Sequence, residues 1–229
     1  MIQRLFLPLS MVSSCALRGT IEEEAAAALA PLEAAIKRIS EPVKCLDSVD
    51  ALTLSPGIDP ADPRLKADHL IVIRKGVRRI QRFQAGKVAT TDRATDQPSC
   101  WSIGLGFAPV GHKYRQGDGR TPEGWYRTSD KPWSNYYAAI AVHYPNVSDA
   151  TAGRVQRRIT APTEQTIHRA LKRDAKPPQE TGLGGEILIH GGGGYIDWTL
   201  GCVGMQDADI DALRSGMPTG KKTNVLILP

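Results

Sequence analysis

Two stretches of the chain decide its interpretation: ILIHGGGG at residues 187–194 and TLGCVGM at residues 199–205. A short apolar run ends in His190, a run of glycines follows, and Cys202 opens a second apolar segment. Glycines tolerate a positive φ and let a backbone approach a substrate closely. A cysteine attacks as its thiolate, and histidine is the usual neighbouring base. The pattern therefore predicts Cys202 as a nucleophile and His190 as its proton acceptor and donor, with backbone N–H groups near Cys202 facing a developing oxyanion.

The same residues admit three other interpretations. A lone His and a lone Cys twelve positions apart are, in most chains, a core histidine and a buried thiol. A structural zinc site needs paired ligands, and only one His and one Cys stand here. A phosphate-binding loop ends in Lys and Ser or Thr and opens a helix, which the glycines at 191–194 do not do. We therefore expect no metal and no cofactor.

Short apolar segments separated by turn residues lie on both sides of this motif. The runs at 70–73 and 224–228 are apolar enough for buried strands. Further strand candidates are 77–84, 88–91, 99–105, 138–144 and 186–190. The helix candidates are 163–172, which Thr163 would cap at its N-terminus, and 207–214. A Gly/Pro-rich loop is expected at 106–124. These elements predict an α+β domain dominated by mixed or antiparallel β structure.

The N-terminal residues resemble an export signal. Arg4 precedes a short apolar stretch that ends in Val12-Ser13-Ser14-Cys15, which resembles a bacterial lipobox. Either Cys15 is lipidated, or cleavage after Ala16 gives a soluble exported protein; an ordinary cytosolic N-terminus is the alternative. We expect a signal peptide over residues 1–15, a helical segment and linker over 16–66, and the main domain over 67–229.

Composition and charge narrow the class of protein. The 229 residues are 41% hydrophobic and 23% charged, which is ordinary globular composition and excludes wholesale disorder. No apolar run reaches the length of a membrane-spanning helix. The formal net charge of +5 suits an anionic partner. No long Lys/Arg run occurs, and Lys221-Lys222 and Arg157-Arg158 are isolated pairs, so we expect no binding to nucleic acid. If the protein is exported, Cys45 and Cys100 either form a disulfide or stay separate buried thiols.

Several motifs together resemble the L,D-transpeptidase catalytic domain, the YkuD family. Its signature is His-Gly, a loop, then Ser/Thr-His-Gly-Cys-Ile/Val-Arg-Met, and this chain has His190-Gly191 followed by TLGCVGM at 199–205. GDGRTPEG at 117–124 matches a turn of the family, and Tyr144-Pro145-Asn146 resembles a segment of the subgroup that includes the murein transpeptidase YafK. The resemblance covers about residues 68–229 and implies a β-rich, sandwich-like α+β domain with a few helices.

The resemblance also implies cell-wall chemistry in the periplasm or cell envelope. Cys202 would attack a peptidoglycan stem tetrapeptide and form a thioester, which an amine of another stem or a lipoprotein lysine resolves. Water as acceptor would instead make the protein an L,D-carboxypeptidase or amidase, and a non-catalytic peptidoglycan-binding protein is the other alternative. Expected substrate-binding residues are Gly191, Trp198, Thr199 and Gly201.

Two positions depart from the family signature. Leu200 replaces its second His, and Gly204 replaces its Arg. Loss of a guanidinium removes bidentate recognition of a carboxylate, so we expect an altered substrate preference. Arg115 or Arg120 from the neighbouring loop is the candidate replacement.

Overall fold

The computed structural model describes residues 29, 33, 36, 45–52, 58–92 and 97–229. The chain divides into two compact units, Met1–Glu41 and Pro42–Pro229. In the first unit, Leu29, Glu33 and Ile36 are exposed helical residues. The expected signal peptide over 1–15 and the lipidation site Cys15 lie outside the described residues.

The second unit is built on a sheet in which nine described strands take part. The strands are β1 (Leu70–Arg74), β2 (Arg79–Gln84), β3 (Lys87–Val88), β4 (Thr90–Asp92), β5 (Gln97–Pro98), β6 (Cys100–Ser102), β7 (Gly124–Asp130), β8 (Ile140–Val142), β9 (Leu188–His190), β10 (Val203–Gly204) and β11 (Asn224–Leu228). Their spatial order in the sheet is β10-β9-β8-β7-β11-β1-β2-β3, and β6 also pairs with β2. Strands β4 and β5 form a separate two-stranded sheet.

The central strand β1 is buried on both faces, which explains why its sequence is continuously apolar. It runs parallel to β11 and antiparallel to β2. Ile71 and Ile73 join the main core, whereas Leu70 and Val72 join a second core on the opposite face. The mixed sheet with its few helices confirms the predicted α+β class.

Three α-helices lie among the described residues of the second unit: α1 (Val147–Val155), α2 (Ala161–Lys172) and α3 (Asp207–Ser215). The N-terminus of α1 is a capping box in which Asn146 and Asp149 exchange hydrogen bonds. The N-cap of α2 is Thr160, which accepts a hydrogen bond from the Thr163 amide. The prediction of Thr163 as N-cap was wrong, because Pro162 fits the first turn and lets the helix begin earlier.

The residues before β1, which the sequence placed in a linker, pack on the sheet where they are described. Two 3₁₀ turns, Val49–Leu52 and Pro63–Lys66, precede β1. Their side chains Val49, Leu52 and Leu65 are buried in the second core. A disulfide joins Cys45 to Cys100 at the start of β6, which decides between the two alternatives for these cysteines.

The disulfide generates a stability prediction. It joins residues 55 positions apart, so it restricts the unfolded chain strongly. We expect the double variant Cys45→Ser/Cys100→Ser to lose about 2–4 kcal/mol of unfolding free energy, measured by urea denaturation. Reductant should lower the stability of the unsubstituted protein by a similar amount and leave the double variant unchanged. Equal unfolding midpoints for both proteins would contradict the prediction.

Candidate active site

His190 and Cys202 are brought together by the parallel pair β9 and β10. The register pairs Val203 with Ile189 and Gly204 with His190, so Cys202, one position before β10, lies opposite Leu188. Cys202 packs with Leu188, Ala139 and Ala141 on one face of the sheet. His190 follows Leu188 by two residues and therefore lies on that face too.

His190 is buried, with 1% of its surface exposed. Its Nδ1 lies 2.6 Å from the Gly191 carbonyl oxygen, which as an acceptor selects the tautomer protonated at Nδ1 and leaves Nε2 as a proton acceptor. The Tyr136 ring lies over the imidazole at 4.5 Å, and the Trp198 ring meets it edge-on at 5.7 Å. Burial lowers the pKa of His190, only partly opposed by the hydrogen bond to Gly191, so the imidazole is neutral near pH 7.

The sulfur of Cys202 contacts the backbone of β9 and the segment before it. Its Sγ accepts from the Leu188 amide at 3.4 Å and lies 3.5 Å from the Glu186 carbonyl oxygen. Among the described residues, no hydrogen bond joins Cys202 to His190. Burial raises the pKa of the Cys202 thiol, despite the opposing effect of the Leu188 amide. A lowered thiol pKa, expected if His190 activates Cys202 at rest, is therefore not what this arrangement produces.

The loop between His190 and Cys202 is fixed by side-chain hydrogen bonds to its backbone. Thr199 Oγ1 donates to the Cys202 carbonyl at 2.8 Å and accepts from the Gly201 amide. Asp197 accepts from the Leu105 amide and pairs with Arg78, so it binds the sheet. The Gly191 carbonyl, rather than the Asp197 carboxylate, contacts the imidazole.

Cys202 opens into a cleft of about 660 Å³. One wall comes from residues 131–136, another from residues 179–188, and Leu200 lies beside the nucleophile position. Lys131 and Lys176 both pair with Glu186 at this wall, and these ion pairs lower the pKa of the Glu186 carboxyl. The cleft therefore combines charged groups with apolar surface next to a thiol.

The four residues that the sequence predicted to bind substrate lie around His190 and Cys202 and not in the wall of the cleft. Thr199 and Gly201 hold the backbone around Cys202 through hydrogen bonds. The Gly191 carbonyl orients the imidazole of His190. The Trp198 ring packs against that imidazole, and its Nε1 donates a hydrogen bond to the Gly193 carbonyl. None of them is among the residues that line the cleft.

Several cleft residues were missed by sequence reasoning. Trp133 is 76% exposed and lines the cleft with Tyr136. Lys131 and Glu186 were not singled out. The available signal was the aromatic cluster in KPWSNYY at 131–137, because aromatic residues in a polar turn-rich segment have no core to enter.

The carboxylates of the GDGRTPEG turn are structural. Asp118 accepts from Lys113 and from the amides of Tyr114, Arg115 and Arg120. Glu123 pairs with the buried Lys75 at 2.8 Å. Both carboxylates therefore hold the turn in place.

The two departures from the signature differ in their surroundings. Leu200 is 77% exposed at the edge of the cleft. Gly204 is buried, and a Cβ added there would lie 2.4 Å from the Gly193 carbonyl oxygen. The expectation that an arginine at 204 would face substrate is therefore wrong. Arg115 and Arg120 do not line this cleft either; Lys113 and Lys131 are its basic residues.

Comparison with known proteins identifies related sequences and folds. A family model described as YkuD, the L,D-transpeptidase catalytic domain, matches residues 68–227. Similar solved structures include the helical cell shape determining protein Pgp2 from Campylobacter jejuni, with 22% identity over 69% of this chain and 46% of that chain and a TM-score of 0.44. Bd1075 from Bdellovibrio bacteriovorus has 20% identity over 73% and 50% of the two chains and a TM-score of 0.41.

A third structure, the L,D-transpeptidase from Xylanimonas cellulosilytica, has 15% identity over 77% of this chain and 68% of that chain and a TM-score of 0.37. The chain spans about half the length of the first two structures. No curated protein matches it.

The different surroundings of positions 200 and 204 predict different effects of substitution on stability. Gly204→Arg should lower the unfolding free energy by at least about 3 kcal/mol, because the side chain meets backbone and its charge is buried. Leu200→His, at an exposed position, should stay within about 0.5 kcal/mol of the parent. Urea denaturation of both variants measures the difference. A stable Gly204→Arg protein would show that the loop at 193 moves easily.

Proposed function

The chain belongs to the L,D-transpeptidase catalytic-domain family, and we propose that it transfers acyl groups of peptidoglycan stem peptides through a thioester on Cys202. The observation that carries the proposal is the placement of a thiol at a large cleft, on the same sheet face as a neutral histidine whose Nε2 is left as an acceptor. The assignment to the subgroup that includes YafK stays a prediction.

The first step is attack on the carbonyl of the third stem residue. The Cys202 thiol turns from its weak contacts with Leu188 and Glu186 toward the imidazole, and its proton passes to His190 Nε2 as sulfur bonds to carbon. The carbonyl oxygen takes the negative charge, and the Leu188 amide, 3.4 Å from the sulfur, is a candidate backbone donor for it.

The second step releases the terminal D-Ala. The carbon–nitrogen bond breaks, the His190 imidazolium gives its proton to the leaving amine, and a thioester remains on Cys202. An amine of a second stem or of a lipoprotein lysine then attacks the thioester and gives its proton to His190. The carbon–sulfur bond breaks, and the imidazolium returns the proton to the sulfur of Cys202. Water in the same role completes a carboxypeptidase or amidase reaction.

The surroundings of His190 support this role for the imidazole. The hydrogen bond from Nδ1 to the Gly191 carbonyl stabilises the imidazolium that forms during attack. The rings of Tyr136 and Trp198 exclude water from it, which strengthens electrostatic interactions inside the site. Trp198 thus shields the base from water, and Gly191 orients it. Thr199 and Gly201 position the nucleophile.

The disulfide between Cys45 and Cys100 supports export. Disulfides persist in oxidising compartments such as the periplasm and are rare in the cytosol. An exported location also brings the protein to its proposed substrate. In the part of the chain that the structure describes, no helix has the length and apolar character needed to cross a membrane. Lipidation at Cys15 stays an expectation.

Removal of the nucleophile gives the direct test of the proposal. Cys202→Ala should lower turnover of muropeptides by at least about 10³-fold, because no thioester forms. Mass spectrometry of purified muropeptides after incubation measures the products. New crosslinks between third residues indicate an amine acceptor, and shortened stems indicate water.

The same experiment includes its control. Cys202→Ala should keep the parent's circular dichroism spectrum, because the thiol contributes little packing volume. Undiminished muropeptide turnover by the folded variant would remove Cys202 from the mechanism. Unchanged muropeptides with the unsubstituted protein would favour the non-catalytic binding alternative.

The pKa directions predict how reactivity depends on pH. Burial raises the pKa of Cys202 above its ordinary value of 9.0, so alkylation by iodoacetamide should be slow near pH 7 and rise only at higher pH. Burial lowers the pKa of His190 below 6.5, so kcat/KM should fall only when the pH drops below that value.

The variant His190→Gln separates a transition-state base from a resting ion pair. Turnover should fall at least about 10²-fold, while the alkylation profile of Cys202 stays in place, because no hydrogen bond joins the two side chains at rest. An alkylation profile that moves to higher pH in His190→Gln would show that a thiolate–imidazolium pair exists before substrate binds.

A further inference from the structure

A second cavity of about 450 Å³ lies beside the loop that carries GDGRTPEG. Its walls include Tyr114, Arg120 and Arg158, together with Lys113 and the pair formed by His112 and Asp149. No step proposed for Cys202 uses this cavity.

Two arginines that line this cavity lie near one aromatic ring, and the Cζ atom of a third, Arg115, is 5.7 Å from the same ring. The Cζ atoms of Arg120 and Arg158 each lie 5.1 Å from the centroid of Tyr114. Among the described residues, neither guanidinium has a carboxylate partner, and the Nε of Arg158 is buried with no hydrogen-bond partner. Two like-charged arginines held near one ring repel each other.

The carboxylates near the cavity are already occupied. Asp149 accepts from His112 Nε2 at 3.0 Å, from the Tyr126 hydroxyl and from the Asn146 amide. Asp118 is bound by Lys113 and by backbone amides. Lys113 is thus paired with Asp118, and among the described residues the two arginines are the cavity's cations without a carboxylate partner.

We propose that Arg120 and Arg158 bind a carboxylate of the peptidoglycan stem peptide, in a subsite separate from the cleft at Cys202. This assignment rests on the proposed function, which supplies a substrate rich in carboxylates. Guanidinium groups bind carboxylates through paired, charge-assisted hydrogen bonds, and the face of Tyr114 holds both groups in place.

The subsite lies close to the proposed nucleophile. Lys113 lines both cavities. The Arg120 carbonyl packs against Gly201, where an added Cβ would lie only 2.7 Å from it. The loop that carries Arg120 therefore contacts the residue that precedes Cys202.

The test is a binding measurement that does not depend on turnover. Isothermal titration of full-length Cys202→Ala protein with a synthetic stem tetrapeptide should give a Kd that rises at least about tenfold in Arg120→Gln/Arg158→Gln. The same peptide with its carboxylates amidated should bind the two proteins equally. Arg157→Gln, which removes a neighbouring exposed charge, is the matched control and should leave the Kd unchanged.

Each other outcome overturns the proposal. Equal tetrapeptide affinity in the parent and the double variant would show that the arginines do not contact the stem. Inorganic phosphate is the second probe, and phosphate binding that needs the arginines while tetrapeptide binding does not would assign the subsite to a phosphate-bearing ligand. If the double variant misfolds by circular dichroism, Arg120→Lys/Arg158→Lys keeps the charge, and the loss of paired hydrogen bonds should still weaken binding of the tetrapeptide.

The proposed function can fail separately from the subsite. In that case muropeptides stay unchanged with the unsubstituted protein, while the tetrapeptide still binds Cys202→Ala in an arginine-dependent way. Failure of the subsite alone leaves turnover by Cys202 intact and tetrapeptide affinity independent of both arginines.

Discussion

The site depends on direct backbone contact at a pair of glycines. Gly104 and Gly204 exchange two hydrogen bonds of 2.9 Å, and the loop after His190 packs on them without intervening side chains. An added Cβ would lie 2.0 Å from the Ile196 carbonyl oxygen at Gly104 and 2.4 Å from that of Gly193 at Gly204. Because the loop is held at this distance, its two ends are fixed, and the histidine and cysteine at those ends are fixed with it.

Buried ion pairs hold the neighbouring loop in the same way. Lys75 is buried, and its Nζ donates to the carbonyls of Gly111 and Thr121 and to Glu123. Lys113 binds Asp118, whose carboxylate also caps several backbone amides. A buried charge without a partner is strongly destabilising, so these pairs specify one loop conformation rather than adding much stability. That conformation separates the Cys202 cleft from the cavity with the two arginines.

The apolar strands and the reactive pair were predictable from the sequence, whereas the cleft was not. The segments at 70–73 and 224–228 are buried on both faces, so their apolar runs predicted β1 and β11 directly. Strand β7 was missed, because GWYRTSD alternates without a continuous apolar run and draws its stability from pairing with β8 and β11. Helix α1 was missed because VSDATAGRV has no apolar stripe. The residues that line the cleft, such as Trp133, come from segments far apart in the sequence, so no pattern within one segment predicts that they lie together.

The shifted pKa values of Cys202 and His190 also explain how the thiol can resist oxidation in an oxidising compartment. A thiolate at rest is the form that oxidants and disulfides attack. Burial raises the pKa of Cys202 and lowers that of His190, so both side chains are neutral before substrate arrives. Cys45 and Cys100 are joined to each other, which leaves Cys202 as the free cysteine among the described residues. The same burial that slows its ionisation protects it, and the proton moves to His190 only when a carbonyl is present to accept the sulfur.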